Sequence, residues 1–251
     1  MSSPARRGLN GMTTFLLLPG AGSTGALWDG VAAELRRRGH VPVPVDLPCD
    51  DPAAALPEYV DAAVAALGPR ADVRGDLVVV GQSLGAFTAA AVCARVPVDL
   101  LVFLAAMIPV PGETAGTWWR DTRHAEAIPD VLARHGDLST WGEDALHDVF
   151  LHDLTPAQLE QSLQAVTTQT DGIFASPLPA DGWPTVPTRV LLCRDDRLFP
   201  ADFQRRLARE RLGLVADEMD GGHLAMLSRP AELAERLIDL AGADTAAQPA
   251  A

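Results

Sequence analysis

The chain has 251 residues, enough for one large core or for a core carrying an insertion. Hydrophobic residues make up 48% and charged residues 21%, the balance of a globular protein. Lys and Arg number 20 against 33 Asp and Glu, a net charge of −13, which argues against nucleic acid or an anionic membrane surface as a partner.

Residues 1–11 read as a flexible leader. Arg6-Arg7 could open a twin-arginine signal, but the apolar run that follows, Phe15–Leu18, is short and meets Pro19-Gly20. No stretch approaches the ~20 apolar residues of a membrane span, so a cytoplasmic location is expected. From there, short apolar runs predict strands at Phe15–Leu18, Val41–Val45, Leu77–Val80, Leu100–Ala105, Val190–Cys193 and Val215–Glu218. Helical stretches lie between them at Leu27–Arg38, Leu56–Leu67, Leu84–Arg95, Asp202–Arg211 and Ala231–Leu240. Near-continuous apolar strands alternating with helices specify an α/β fold, a mostly parallel sheet of about six strands with helices on both faces. In such sheets the binding crevice lies off the carboxyl ends of the strands. Each residue that directly follows a strand is therefore a site candidate.

The alternation stops between Pro109 and Pro187, a stretch without β-branched apolar runs. It holds Trp118, Trp119, Trp141 and Trp183, and His124, His135, His147 and His152. Helical pieces are expected at Trp118–Ala127, Ile128–His135, Glu143–Leu151 and Pro156–Thr168. Residues 109–185 thus read as an inserted helical cap between two parts of one core, 12–108 and 186–241. The tail, 242–251, reads as flexible. The four cap histidines are expected at the surface, with His152 beside Asp153 the one to inspect. Cys49, Cys93 and Cys193 are read as reduced thiols. No Cys/His spacing resembles a zinc site, so neither metal nor cofactor is expected.

Four places at strand ends carry chemistry. After the third strand comes Gly81-Gln82-Ser83-Leu84-Gly85 and then a helix. Two glycines let strand and helix approach closely around a strained Ser83, and the Leu84 amide falls at a helix N-terminus. After the first strand, Pro19-Gly20-Ala21-Gly22 can aim the Ala21 N–H at the same point, making an oxyanion hole of two amides. A phosphate-cradling loop is the competing reading, and Gly-x-Gly-x-x-Gly fits it poorly. After the fifth strand, Asp195-Asp196 precedes Pro200. Asp196 is favoured as the acid that orients a histidine, while Asp195 reads as a helix cap or a surface ion pair with Arg194 or Arg197. After the last strand, Gly221-Gly222-His223 presents an imidazole on a tight loop.

The order Ser…Asp…His in these contexts resembles the α/β-hydrolase superfamily over about residues 13–241, and within it the small serine hydrolases of the methylesterase and hydroxynitrile lyase group. The resemblance implies that Ser83 is the nucleophile, His223 the general base and acid, Asp196 the orienting carboxylate, and the Ala21 and Leu84 amides the oxyanion donors. It departs from the family pattern at Pro19-Gly20, where members often have His-Gly. The chain also begins at the family's third strand, so six strands are expected rather than eight. Met107, Ile108, Trp118, Trp119 and Phe150 are candidates to line a substrate pocket. The expected activity is hydrolysis of a carboxylic ester or thioester of a small, largely apolar molecule, by a monomer or homodimer. Three alternatives stay open: lysis or C–C hydrolysis, acyl transfer or cyclisation by the same residues, or non-catalytic ligand binding. Asp195 and Glu113 remain alternatives to Asp196.

Overall fold

The structure, a computed structural model, describes residues 11–69, 75–180 and 186–243. Trp183 and, apart from Gly11, Gly242 and Ala243, the two terminal segments expected to be flexible lie outside those residues. The strands are β1 (Thr14–Leu18), β2 (Val41–Pro44), β3 (Leu77–Gln82), β4 (Leu100–Leu104), β5 (Thr188–Cys193) and β6 (Asp217–Met219). The α-helices are α1 (Asp29–Arg37), α2 (Leu56–Ala66), α3 (Gly85–Cys93), α4 (Ala115–Asp121), α5 (Pro129–His135), α6 (Glu143–Leu146), α7 (Pro156–Gln164), α8 (Gly172–Ala175), α9 (Ala201–Leu212), α10 (Ala225–Ser228) and α11 (Pro230–Gly242). Among the described residues all five strand pairings are parallel, in the order β2-β1-β3-β4-β5-β6.

Strand alternation divides the apolar residues between two cores. From β1, Leu16 and Leu18 join Tyr59 of α2, Phe87 of α3 and Leu207 of α9. Phe15 and Leu17 join Val31 and Leu35 of α1 and Leu233 and Leu237 of α11 on the opposite face. Both faces are covered, which is why these strands carry no polar alternation. The chain runs from β1 out to β2, then returns to place β3 on the other side of β1. That reversal is a topological switch point, and the crevice it leaves lies beyond the carboxyl ends of β1 and β3. Gly20 and Ser83 follow those two strands within a few residues.

The last strand begins two residues later than its apolar run suggests. Val215 is 65% exposed, and the strand that forms is Asp217-Glu218-Met219. It is a sheet edge. Asp217 is bound to Arg189, and Glu218 to Arg194 and Arg205, charges that discourage further strand pairing.

Helices α4 to α8 fill the chain between β4 and β5. Their boundaries follow caps more than periodicity. Helix α4 starts at Ala115 because the Thr114 hydroxyl accepts the Thr117 N–H at 3.1 Å. A left-handed Arg123 (φ 53°) separates it from a 3₁₀ turn at His124–Ala127. Helix α7 starts behind Thr155, whose N–H is held by Gln158 Oε1 at 2.9 Å. Between α6 and α7 lies a π-turn, His147–Leu151.

Candidate active site

Ser83 occupies the turn between β3 and α3 with φ 50°, a left-handed conformation that an L-residue adopts only under constraint. The constraint is visible on both sides. The Ser83 N–H donates to the Leu104 carbonyl at 3.2 Å, and the Ser83 carbonyl accepts the Met107 N–H at 3.0 Å. The flanking glycines are needed for contact rather than flexibility. A Cβ on Gly81 would lie 2.6 Å from the Ala89 Cβ, and one on Gly85 would lie 2.5 Å from the Pro19 carbonyl oxygen. Helix α3 can thus press against β1 and β3, leaving Ser83 only 8% exposed. Leu84 is the residue before α3, so its N–H is among those with no intrahelical acceptor. Gly20 brings the β1 turn close, since a Cβ there would fall 2.9 Å from the Ser83 Cβ.

His223 is held from four directions. Its Nδ1 lies 2.8 Å from Asp196 Oδ2. The other oxygen, Oδ1, accepts the Leu198 and Phe199 N–H groups, each at 2.9 Å. Both groups are buried, Asp196 at 3% and His223 at 2% exposure. A carboxylate with this partner set accepts Nδ1–H and leaves Nε2 as the basic nitrogen. The Gln82 amide donates to the His223 carbonyl at 3.3 Å, tying the histidine loop to the serine turn. Asp195 Oδ2 accepts the Gly221 N–H at 3.0 Å, and Asp153 Oδ2 accepts that of Gly222 at 2.7 Å.

The Asp195 contact corrects the expectation of a cap or ion pair. Arg194 is instead bound to Glu218 and Asp220, and Arg197 to Asp148, so Asp195 is free to hold the histidine loop. Glu113 lies elsewhere. It forms a two-point pair with Arg211 on α9, Nη2 to Oε1 at 2.9 Å, and accepts the Val110 N–H.

The aromatic residues fall into two groups. Trp118 has no exposed surface and its Nε1–H donates to the Ile108 carbonyl at 3.0 Å. It packs against Trp119, His124, Phe199 and Phe203. Met107 and Ile108 are likewise enclosed. Trp119 and Phe150 are half-buried, and Phe150 sets its ring edge-on to His223 at 5.4 Å. Phe199, a residue without any sequence signal beyond its place near Asp196, does so at 5.1 Å. His124 is not at the surface: it is 1% exposed, with Nε2 2.7 Å from the Leu198 carbonyl oxygen. The α4 aromatics enclose it, and burial lowers its pKa. Burial also pushes the Cys193 thiol well up, helped by the carboxylates of Asp196, Asp153 and Asp195, so it stays protonated and inert. Among the described residues no group of three His, Cys, Asp or Glu side chains could hold a metal, and no helix is long and apolar enough to cross a membrane.

The chain is similar to known proteins in sequence and fold. The alpha/beta hydrolase family matches residues 15–236. A pyrethroid hydrolase of Sphingobium wenxiniae is 27% identical over 92% of this chain and 89% of its own length. Methylesterase 7 of Arabidopsis thaliana is 23% identical over 92% and 97%. The crystal structure of polyneuridine aldehyde esterase superposes with a TM-score of 0.73 over 92% of this chain and 99% of that one, at 19% identity, and so shares the fold. The chain belongs to the alpha/beta hydrolase family and is an enzyme of the carboxylesterase type.

Proposed function

We propose that the protein hydrolyses a small, largely apolar carboxylic ester or thioester through an acyl-enzyme on Ser83. The observation that carries this reading is the His223–Asp196 pair. A buried carboxylate with both oxygens committed holds one imidazole tautomer, on a loop that Gln82 ties to the strained turn of Ser83. Serine is a weak nucleophile at its free pKa and needs a base. His223 Nε2 takes the proton as Ser83 Oγ attacks the carbonyl carbon. The oxyanion that forms is met by the Ala21 and Leu84 amides, each donor worth about 3 kcal/mol in the transition state. His223 then protonates the departing alcohol or thiol. In the second half a water, deprotonated by His223, releases the acid and restores Ser83.

The rings of Phe150 and Phe199 beside His223 favour an apolar group next to the scissile bond. The same reading takes a small molecule as the substrate. A fluorophosphonate probe tests the mechanism: a single adduct on Ser83 is expected, lost in Ser83→Ala together with turnover of p-nitrophenyl esters. Turnover that survives in Ser83→Ala would falsify the reading. A panel of acyl chain lengths then ranks ester hydrolysis against acyl transfer or lysis.

A further inference from the structure

Side chains of the inserted segment reach both loops of the proposed machinery, and each does so by accepting a backbone N–H. Asp153, just past the π-turn, accepts the Gly222 N–H on Oδ2 at 2.7 Å. Gly222 immediately precedes His223. The approach is close: a Cβ on Gly222 would fall 2.8 Å from Asp153 Oδ1 and 3.0 Å from His152 Nε2. At the other loop, Gln169 Oε1 accepts the Gly22 N–H at 3.0 Å. Gly22 immediately follows Ala21. The Gln169 amide is itself oriented, because its Nε2 donates to the Tyr59 hydroxyl and to the Thr170 carbonyl, both at 3.0 Å. Tyr59 belongs to the buried face of α2. Backbone bonds between Thr167 and Gly22 at 2.9 Å, and between Thr24 and Ala165 at 2.8 Å, fasten the same segment to the same turn.

We propose that Asp153 and Gln169 are positioning residues, a clamp through which the insertion sets the His223 imidazole and the Ala21 amide. Both loops are glycine-rich and would otherwise sample many backbone conformations. With the Gly22 N–H committed to Gln169, the adjacent Ala21 N–H is the donor that the turn offers to substrate. The insertion therefore does more than cover the crevice. Its seating on the core and the alignment of the reacting groups are one event, and a misplacement of about 1 Å costs on the order of 100-fold in rate. The inference rests on the serine mechanism proposed above.

The test uses the full chain with p-nitrophenyl butyrate and a fluorophosphonate probe. Asp153→Ala and Gln169→Leu are expected to lower kcat by roughly 10- to 100-fold with KM changed less than about threefold, and to slow Ser83 labelling in parallel. Asp153→Asn keeps an acceptor oxygen for the Gly222 N–H and is expected to retain kcat within about threefold. Wild-type kcat and labelling in both Asp153→Ala and Gln169→Leu overturn the clamp. So does an Asp153→Asn that loses as much as Asp153→Ala, since charge rather than the amide contact would then be at work. Should Asp153→Ala fail to fold, Gln169→Leu and Asp153→Asn still decide. A wild-type protein that takes no label at Ser83 overturns the serine mechanism, and the clamp with it. A labelled wild type with unaffected variants overturns the clamp alone.

Discussion

Ser83 combines a strained backbone with a proposed chemical role, and the two can be separated by choosing what replaces it. At φ 50° an L-side chain costs about 1–2 kcal/mol, which glycine does not incur. Ser83→Ala keeps the strain and loses the hydroxyl, whereas Ser83→Gly loses both. Ser83→Gly is therefore expected to unfold in urea about 1 kcal/mol higher than Ser83→Ala, with neither taking the phosphonate label. Equal unfolding free energies would mean that the turn stores no strain. The glycines that make this turn possible are visible in the sequence because nothing larger fits at Gly81 or Gly85. Other constraints leave no such mark. Ala105 also adopts a positive φ, 41°, one residue past β4, and alanine does not announce it. The roles of Asp195, Asp153 and Gln169 depend on contacts with residues 26 or more positions away, which no local pattern encodes.

Elements of the sheet were readable because β1, β3 and β4 are buried along their whole length and helices such as α1 and α11 carry one apolar stripe. Those of the insertion were readable only in outline. Short helices there end at caps, a left-handed residue or a π-turn, and α6 and α8, four residues each, have no periodicity to detect. The same scale decides between the three candidate acids, since each is bound to a different partner. Asp196 joins the end of β5 to the histidine loop, Asp195 joins β5 to Gly221, and Glu113 joins the start of the insertion to α9. Asp196→Asn is expected to lower kcat by roughly 10⁴-fold by favouring the wrong imidazole tautomer, with little loss of stability. Glu113→Gln is expected to do the reverse. It leaves Arg211 buried against a neutral partner, at a cost of roughly 3 kcal/mol, and kcat near wild type in the folded protein. Asp195→Asn keeps an acceptor for the Gly221 N–H and should change both quantities little. A Glu113→Gln that loses rate while keeping its thermal midpoint would move the acid role away from Asp196.

For the molecule as a whole, acid is the direction in which stability should fail, and His124 and Asp148 contribute to the two windows alongside His40 in mild acid and Asp121 and Glu218 below it. His124 is enclosed by the aromatic residues of α4 and α9, and burial is the main reason its pKa falls below the ordinary 6.5. Above pH 6.5 both the folded and the unfolded imidazole are neutral, and the contribution to stability is complete. As the pH falls below 6.5 the unfolded chain takes up a proton that the folded one refuses, so stability declines until the folded pKa is passed. Asp148 acts later. Its pKa is held below the ordinary 3.8, first by the hydrogen bond from His135 and then by Arg134 and Arg197. Its contribution is complete above 3.8 and is lost as the pH falls through the folded value. Both groups lie on the insertion, and Asp148 is the residue through which Arg197, next to Asp196, reaches the π-turn. Thermal midpoints measured from pH 7.5 down to about pH 3 should therefore fall in two stages. His124→Gln, which keeps a donor for the Leu198 carbonyl, is expected to make the first stage shallower, with the part due to His40 remaining, and to leave the second. Asp148→Asn is expected to make only the second shallower. A His124→Gln curve that runs parallel to wild type between pH 6.5 and about pH 5 would show that another group refuses the proton, and that the aromatic enclosure of His124 is not what limits stability in mild acid.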